Sequence, residues 1–231
     1  MSFASSVKDD LIRVEVNKDC CKLAEFAAFL RISGKIHISG HDGVSIGLTT
    51  EHPAVARHIF SLIKEIFALN TEIIVHRKNR LKKNQVFDIN IPHQEGINRL
   101  LSILGLMTED KIWDMAFPGK LSNDLLQQSC CQRAYLRGAF LAGGSINDPS
   151  GEYHLEIACN DPDQAELLKN IMASFEIFAG ITKRKQMSVI YLKESEAIVD
   201  TLNIMGSHRS LLEFENTRIV KEMRNMVNRQ T

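Results

Sequence analysis

Residues 133–146 read RAYLRGAFLAGGSI, a stretch that mixes alanine and glycine with large apolar side chains and closes on Gly143–Gly144. It contains no acid and no histidine. One turn upstream it begins SCC at Ser129–Cys131. Aligning Cys130–Cys131 with Cys20–Cys21 lays SCCQRAYLRGAFLAGGSI (129–146) over DCCKLAEFAAFLRISGKI (19–36). Ala24 then meets Ala134, Ala28 meets Gly138, Gly34 meets Gly144 and Ile36 meets Ile146. Asp19 and Ser129 are good N-cap residues, and Ser129–Gln132 has the spacing of a capping box. Each segment reads as a helix with a start signal and a glycine stop.

The correspondence continues downstream. KIHISGHDGVSIGLTTEHP (35–53) and SINDPSGEYHLEIACNDP (145–162) are hairpin patterns that end in a polar turn with Pro53 or Pro162. PAVARHIFSLIKEIFAL (53–69) and PDQAELLKNIMASFEIF (162–178) repeat apolar residues every three or four positions, as a half-buried helix does. Two further strands follow in each half: TEIIVHR and NQVFDINI, then AGITKRK and MSVIYLK. QEGINRLLSILGL and ESEAIVDTLNIMG close the halves as helices. This order predicts an α+β fold, a duplicated αββαββα saddle with pseudo-twofold symmetry. The expected segments are a first repeat over 1–115, a linker over 116–128 containing Pro118 and Gly119, a second repeat over 129–206, and a helical connector over 207–231.

The small residues have a reason in this scheme. Ala24 and Ala28 are four apart, as are Ala134 and Gly138, so each pair shares one helix face. Small side chains let two helix axes approach to about 8–10 Å or closer. The first helices of the two halves are expected to pack along these faces; the alternative is that each face packs on its own sheet.

Composition excludes several classes. The chain has 231 residues, 28 Lys+Arg against 28 Asp+Glu, and a formal net charge of zero. A protein that binds nucleic acid by overall charge is normally basic, so any DNA contact here must come from a local patch or be weak. No apolar run reaches membrane-spanning length, and MSFASSVKDDLIRVEV lacks an apolar signal core, which points to the cytosol. The five cysteines, Cys20, Cys21, Cys130, Cys131 and Cys159, are an odd number and read as free thiols. Two Cys–Cys pairs raise a four-thiolate metal site. The familiar zinc spacing is C-x2–4-C, however, and neighbours in a helix point about 100° apart. The favoured reading is small buried hydrophobes, with no metal and no cofactor. The eight histidines, among them His37 and His41, and the single Trp113 form no ligand or catalytic spacing. No P-loop and no G-x-S-x-G is present, and SGHDGVSIG opens no helix.

FAAFLRISG (26–34) and LRGAFLAGG (136–144) resemble the nine-residue helix motif of the LAGLIDADG homing endonucleases. MSFASSVKDDL, DCCKLAEFAAFLRISG and CCQRAYLRGAFLAGGSINDP more closely resemble the WhiA family, bacterial transcriptional regulators linked to sporulation, cell division and chromosome segregation. The similarity runs along essentially the whole chain. It implies a cytoplasmic, nucleoid-associated protein whose partners are double-stranded DNA and transcription-machinery or regulator proteins. It also implies that EFENTRIVKEMRNMVNRQT (213–231), with Ile219, Val220, Met223 and Val227 on an apolar face, leads towards a helix-turn-helix domain outside this sequence.

In the endonucleases the penultimate motif position is an acid that helps hold a divalent cation. Here those positions are Ser33 and Gly143. Glycine supplies no ligand side chain and serine a neutral one, whereas Mg2+ takes carboxylate oxygens and a two-metal phosphodiesterase needs paired anions. The chain is therefore expected not to be an enzyme, with Asp42 and Asp148 as turn residues. Expected DNA contacts are Arg77, Lys78, Arg80, Lys82 and Lys83 in one hairpin and Lys183, Arg184 and Lys185 in its counterpart, acting on phosphates. The competing reading of these hairpins is a solvated basic turn. Two alternatives stand beside a weak DNA-binding domain: a protein-interaction scaffold without DNA affinity, and an active homing-type endonuclease.

Overall fold

The computed structural model describes residues 2–39, 43–77, 85–106 and 125–230. His41, Asp42, Lys78, Arg80, Lys82, Lys83, Trp113, Pro118 and Gly119 lie outside the described residues. The chain runs α1 (Phe3–Leu11), α2 (Asp19–Ser33), β1 (Gly34–Ser39), β2 (Gly43–Thr50), α3 (Pro53–Phe67), β3 (Glu72–Arg77), β4 (Gln85–Ile91) and α4 (Ile97–Ile103). It continues α5 (Ser129–Gly143), β5 (Gly144–Ile146), β6 (Leu155–Cys159), α6 (Pro162–Ala173), β7 (Gly180–Arg184), β8 (Met187–Leu192), α7 (Ser195–Met205) and α8 (His208–Gln230). The αββαββα order thus occurs twice. The sheets have the same topology, β1-β2-β4-β3 and β5-β6-β8-β7, with every neighbouring pair antiparallel.

The chain divides into two compact units, Glu15–Ala142 and Met1–Val14 with Gly143–Thr231. In the first unit, Ile46 opposes Ile91 and Leu48 opposes Ile89, which gathers these side chains on one buried face. The α3 stripe of Val55, Ile59, Leu62 and Ile63 is buried as well, as its three- and four-residue spacing dictates. Pro53 sits in the first turn of α3, where its missing N–H costs no hydrogen bond. Helix α2 is buried from Ala24 to Ile32 without interruption. A helix enclosed on all sides needs an apolar sequence all round, and it has one except at Glu25 and Arg31.

Asp19 and Ser129 are not caps but the first helical residues; the α2 cap is Lys18, which makes no side-chain cap bond. The Gln132 amide donates to the Leu126 carbonyl at 2.9 Å. Gly34 is the C-cap of α2, as the glycine stop predicts, but its φ is −83° and the chain passes straight into β1 without a left-handed turn. What requires glycine there is space: a Cβ would collide with the Leu30 carbonyl oxygen.

In the second unit, Leu155 opposes Leu192 and Ile157 opposes Ile190, forming a buried face with Leu168 and Met172 of α6. Helix α1 buries Phe3, Val7 and Leu11, and Phe3 meets Phe214 of α8 at 6.2 Å between ring centres. The Asp10 carboxylate caps the start of α8, accepting from Ser207 Oγ at 2.8 Å and from the Ser210 N–H at 3.1 Å. Farther along α8, Lys221 donates to the Gly151 carbonyl at 2.6 Å and lies 4.3 Å from the Tyr153 ring centre. Beyond it, Met223, Met226 and Val227 are exposed. Among the described residues no helix is long and apolar enough to cross a membrane.

Candidate functional site

Helices α2 and α5 carry Ser33, Gly143, the paired small residues and four of the five cysteines. At the end of α2, the Ser33 hydroxyl donates to the Phe29 carbonyl at 3.0 Å, back into its own helix. At the end of α5, Gly143 has no side chain to offer. Asp148 lies beyond β5 in the turn that follows. Its carboxylate accepts from Ser150 N at 2.9 Å and Ser150 Oγ at 2.5 Å, and these bonds hold its pKa below the usual carboxylate range.

The middles of α2 and α5 meet within the first unit. Ala24, Ala28 and Ala134 are buried, and a Cβ at Gly138 would strike the Glu25 carbonyl group. One side chain from α2 dominates this meeting. Glu25 is 0% exposed, and Arg137 Nε of α5 donates to its Oε2 at 2.6 Å. His58 Nε2 of α3 lies 2.6 Å from Oε1. An ionised carboxylate out of water needs such partners on both oxygens. Sequence reasoning missed this cluster. The available signal was one acid and one base, each inside an otherwise apolar run: LAEFAAF and AYLRGAF.

At the other end of the same helices, the first turns bring four thiols together. The Sγ atoms of Cys20, Cys21, Cys130 and Cys131 all lie within 4.8 Å of one another, and Cys21 and Cys131 are 4.0 Å apart. Cys21 and Cys131 are buried, whereas Cys20 and Cys130 are half-buried, and no disulfide joins them. Neighbours diverge within one helix, but two helix starts placed side by side converge four sulfurs all the same. Burial pushes the Cys21 thiol up to about 11 and raises Cys131 as well, while a hydrogen bond with Cys21 lowers Cys130. Cys159 is separate: it is buried in β6, and that burial, with the Asp161 charge, raises it to about 12.

The hairpin residues are at strand ends. Arg77 ends β3 and is exposed. Lys183 and Arg184 end β7, and Lys185 opens the turn with a left-handed φ of 58°; all three are exposed. Arg184 is engaged, with Nη1 3.2 Å from Glu156 Oε1, and His154 Nε2 lies 3.0 Å from Glu156 Oε2. Burial pushes the Glu156 carboxyl up, but His154 and Arg184 outweigh it and hold the pKa below its ordinary value. Strand parity places Glu156 and Arg184 on the sheet face opposite the buried one. The first sheet repeats the theme. On its corresponding face Asp88 accepts from Thr49 Oγ1 at 3.0 Å and lies 3.1 Å from His76 Nε2.

Duplicated αββαββα units with such helices define a LAGLIDADG-like protein. The fold is shared with I-DmoI, solved in complex with DNA and Mn, at a TM-score of 0.56 and 10% identity over 81% of this chain and 98% of that one. Full-length DUF199/WhiA from Thermatoga maritima superposes at a TM-score of 0.73, with 20% identity over 100% of this chain and 73% of that one. The family model of the WhiA N-terminal LAGLIDADG-like domain matches residues 19–107, and that of the WhiA LAGLIDADG-like domain matches residues 132–224. The "Probable cell division protein WhiA" of Heliobacterium modesticaldum is 46% identical over 229 residues, which are 99% of this chain and 70% of that protein. The chain belongs to the WhiA family. Neither helix end carries the carboxylate that a hard divalent cation of the Mn or Mg type prefers: one position is a serine hydroxyl and the other has no side chain.

Proposed function

We propose that this chain is a catalytically inactive LAGLIDADG-like domain of a WhiA-type transcriptional regulator that contacts duplex DNA weakly, through phosphates. The observation that carries the reading is the pair of neutral helix ends, Ser33 bonded to Phe29 and Gly143 bare, on a fold that a nuclease uses against DNA. Cleavage needs an activated water and charge stabilisation at the phosphorus, and neither end supplies an anion to hold the metals that provide them. Binding needs much less. Exposed Arg77, Lys183 and Lys185 at strand ends suit phosphate contact, which is sequence-independent and falls with salt. The zero net charge keeps the affinity low. The site of action is the cytoplasm, at the nucleoid, and the genes served are those of cell division and sporulation.

A mobility-shift titration on duplex DNA at low and moderate salt tests the reading. The expected result is a shift at low salt that fades steeply with added salt. The triple change Lys183→Ala, Arg184→Ala, Lys185→Ala should weaken it and reduce the salt slope by about one for each phosphate no longer neutralised. Unaltered binding by the triple variant rules out this hairpin as the DNA-binding element. A second reading, a protein-interaction scaffold, draws on Asp88 and Glu156, acids on the sheet faces. It is the answer if no shift occurs even at low salt.

A further inference from the structure

The four thiols at the starts of α2 and α5 have the dimensions of a coordination shell. Four sulfurs bound tetrahedrally to one ion at ~2.3 Å stand ~3.8 Å from one another. The four Sγ atoms here are all within 4.8 Å of one another, and the Cys21–Cys131 separation is 4.0 Å. An iron–sulfur cluster spreads its cysteines around several metal atoms and so needs a wider cage. Among the described residues this is the one grouping of three or more His, Cys, Asp or Glu side chains with metal-binding spacing. The geometry points to a structural zinc site, in which Cys20, Cys21, Cys130 and Cys131 bind one Zn2+ ion and tie α2 to α5.

The surroundings favour the ion-bound form. Each pair sits in the first turn of its helix, where unsatisfied N–H groups and the positive end of the dipole stabilise thiolates. Four thiolates around a dication leave a dianion, and two helix starts with Lys18 beside them offset it. Cys21 and Cys131 are buried, Cys20 and Cys130 half-buried, and as free thiols each carries one proton. Zn2+ replaces those protons: each Zn–S bond that forms releases one thiol proton to solvent, up to four in all, and no electron is transferred. The burial pattern also suits a closed structural site, with two ligands buried and two half-buried, accessible enough for the ion to enter.

The full chain, purified under reducing conditions and washed with a weak chelator, is the material for the test. Metal analysis should find close to one zinc per chain. Replacing zinc by Co2+ should give thiolate-to-cobalt charge transfer in the near ultraviolet and the intense visible bands of a tetrahedral ion. Cys20→Ser and Cys130→Ser remove the half-buried ligands and should weaken zinc retention against a chelator at least tenfold, with the far-ultraviolet circular dichroism unchanged. Stripping zinc from the wild type should lower Tm by on the order of 10 °C. Because the cobalt spectrum is read on the wild type, a variant that fails to fold does not blunt the test. A folded, reduced protein that retains no zinc and gives no charge-transfer band overturns the proposal. So does a mass spectrum showing Cys21–Cys131 as a disulfide in the protein as first isolated.

Discussion

Helices α2 and α5 carry the same residues where they begin and different ones where they meet. Cysteine pairs open both, and Ala24 and Ala28 correspond to Ala134 and Gly138. One turn along, the correspondence breaks. Glu25 stands opposite Tyr135 in the alignment, and Arg137 opposite Ala27. The broken positions are the ones joined by the buried ion pair. A duplicated helix can pair with its copy through identical small residues, but a carboxylate and a guanidinium on different copies make each copy specific for the other. Symmetry supplies the convergent thiols, and its loss supplies the directed clamp.

The largest expected effect breaks that clamp. Arg137→Ala leaves the fully buried Glu25 with His58 as its remaining partner on one oxygen and should cost about 3 kcal/mol in urea unfolding. A loss below about 1 kcal/mol would show that the pair does not fasten the helices. Next comes a test of the unequal copies. Gly138→Ala drives a Cβ into the Glu25 backbone and should cost about 1–3 kcal/mol, more if the helices cannot separate. The reverse change at the matching position, Ala28→Gly, should cost only about 1 kcal/mol of helix propensity and should leave the helix spacing intact. Equal effects would remove the asymmetry. Away from the helix pair the effects should shrink. Asp10→Ala uncaps α8 and should cost about 1 kcal/mol; a loss larger than that of Arg137→Ala would move the weight of the structure elsewhere.

The smallest effect is at Glu156. Its folded-state pKa is held below the ordinary 4.5, so ionised Glu156 stabilises the protein above that value. The contribution fades as the pH falls from 4.5 through the lower folded-state value. Glu156→Gln should therefore cost less than about 1 kcal/mol at neutral pH and flatten the stability profile below pH 4.5. An unchanged acid limb would show that His154 and Arg184 give the carboxylate no net support.

The duplication was legible because it is written in local patterns: helix periodicity, β-branched alternation, and Pro53 and Pro162 at helix starts. Ser33 and Gly143 were legible as neutral because a missing carboxylate is visible in the letters themselves. Contacts between distant segments were not. Nothing in FASSVKDDL indicates that α1 belongs with α8 and that Asp10 caps a helix nearly two hundred residues later. Glu25 and Arg137 look like surface charges until both helices are seen to be enclosed. Within one helix, neighbouring cysteine side chains diverge, so the sequence of either helix alone shows no cage. Only the juxtaposition of two helix starts turns them into a four-sulfur cage.

The proposed loss of cleavage chemistry from this LAGLIDADG-like fold is tested by a time course on supercoiled DNA at low salt with Mg2+ or Mn2+. Protein-dependent retardation is expected, with no nicked or linear product at any time. Nicked or linear DNA that accumulates with time, and is abolished by EDTA, would contradict it.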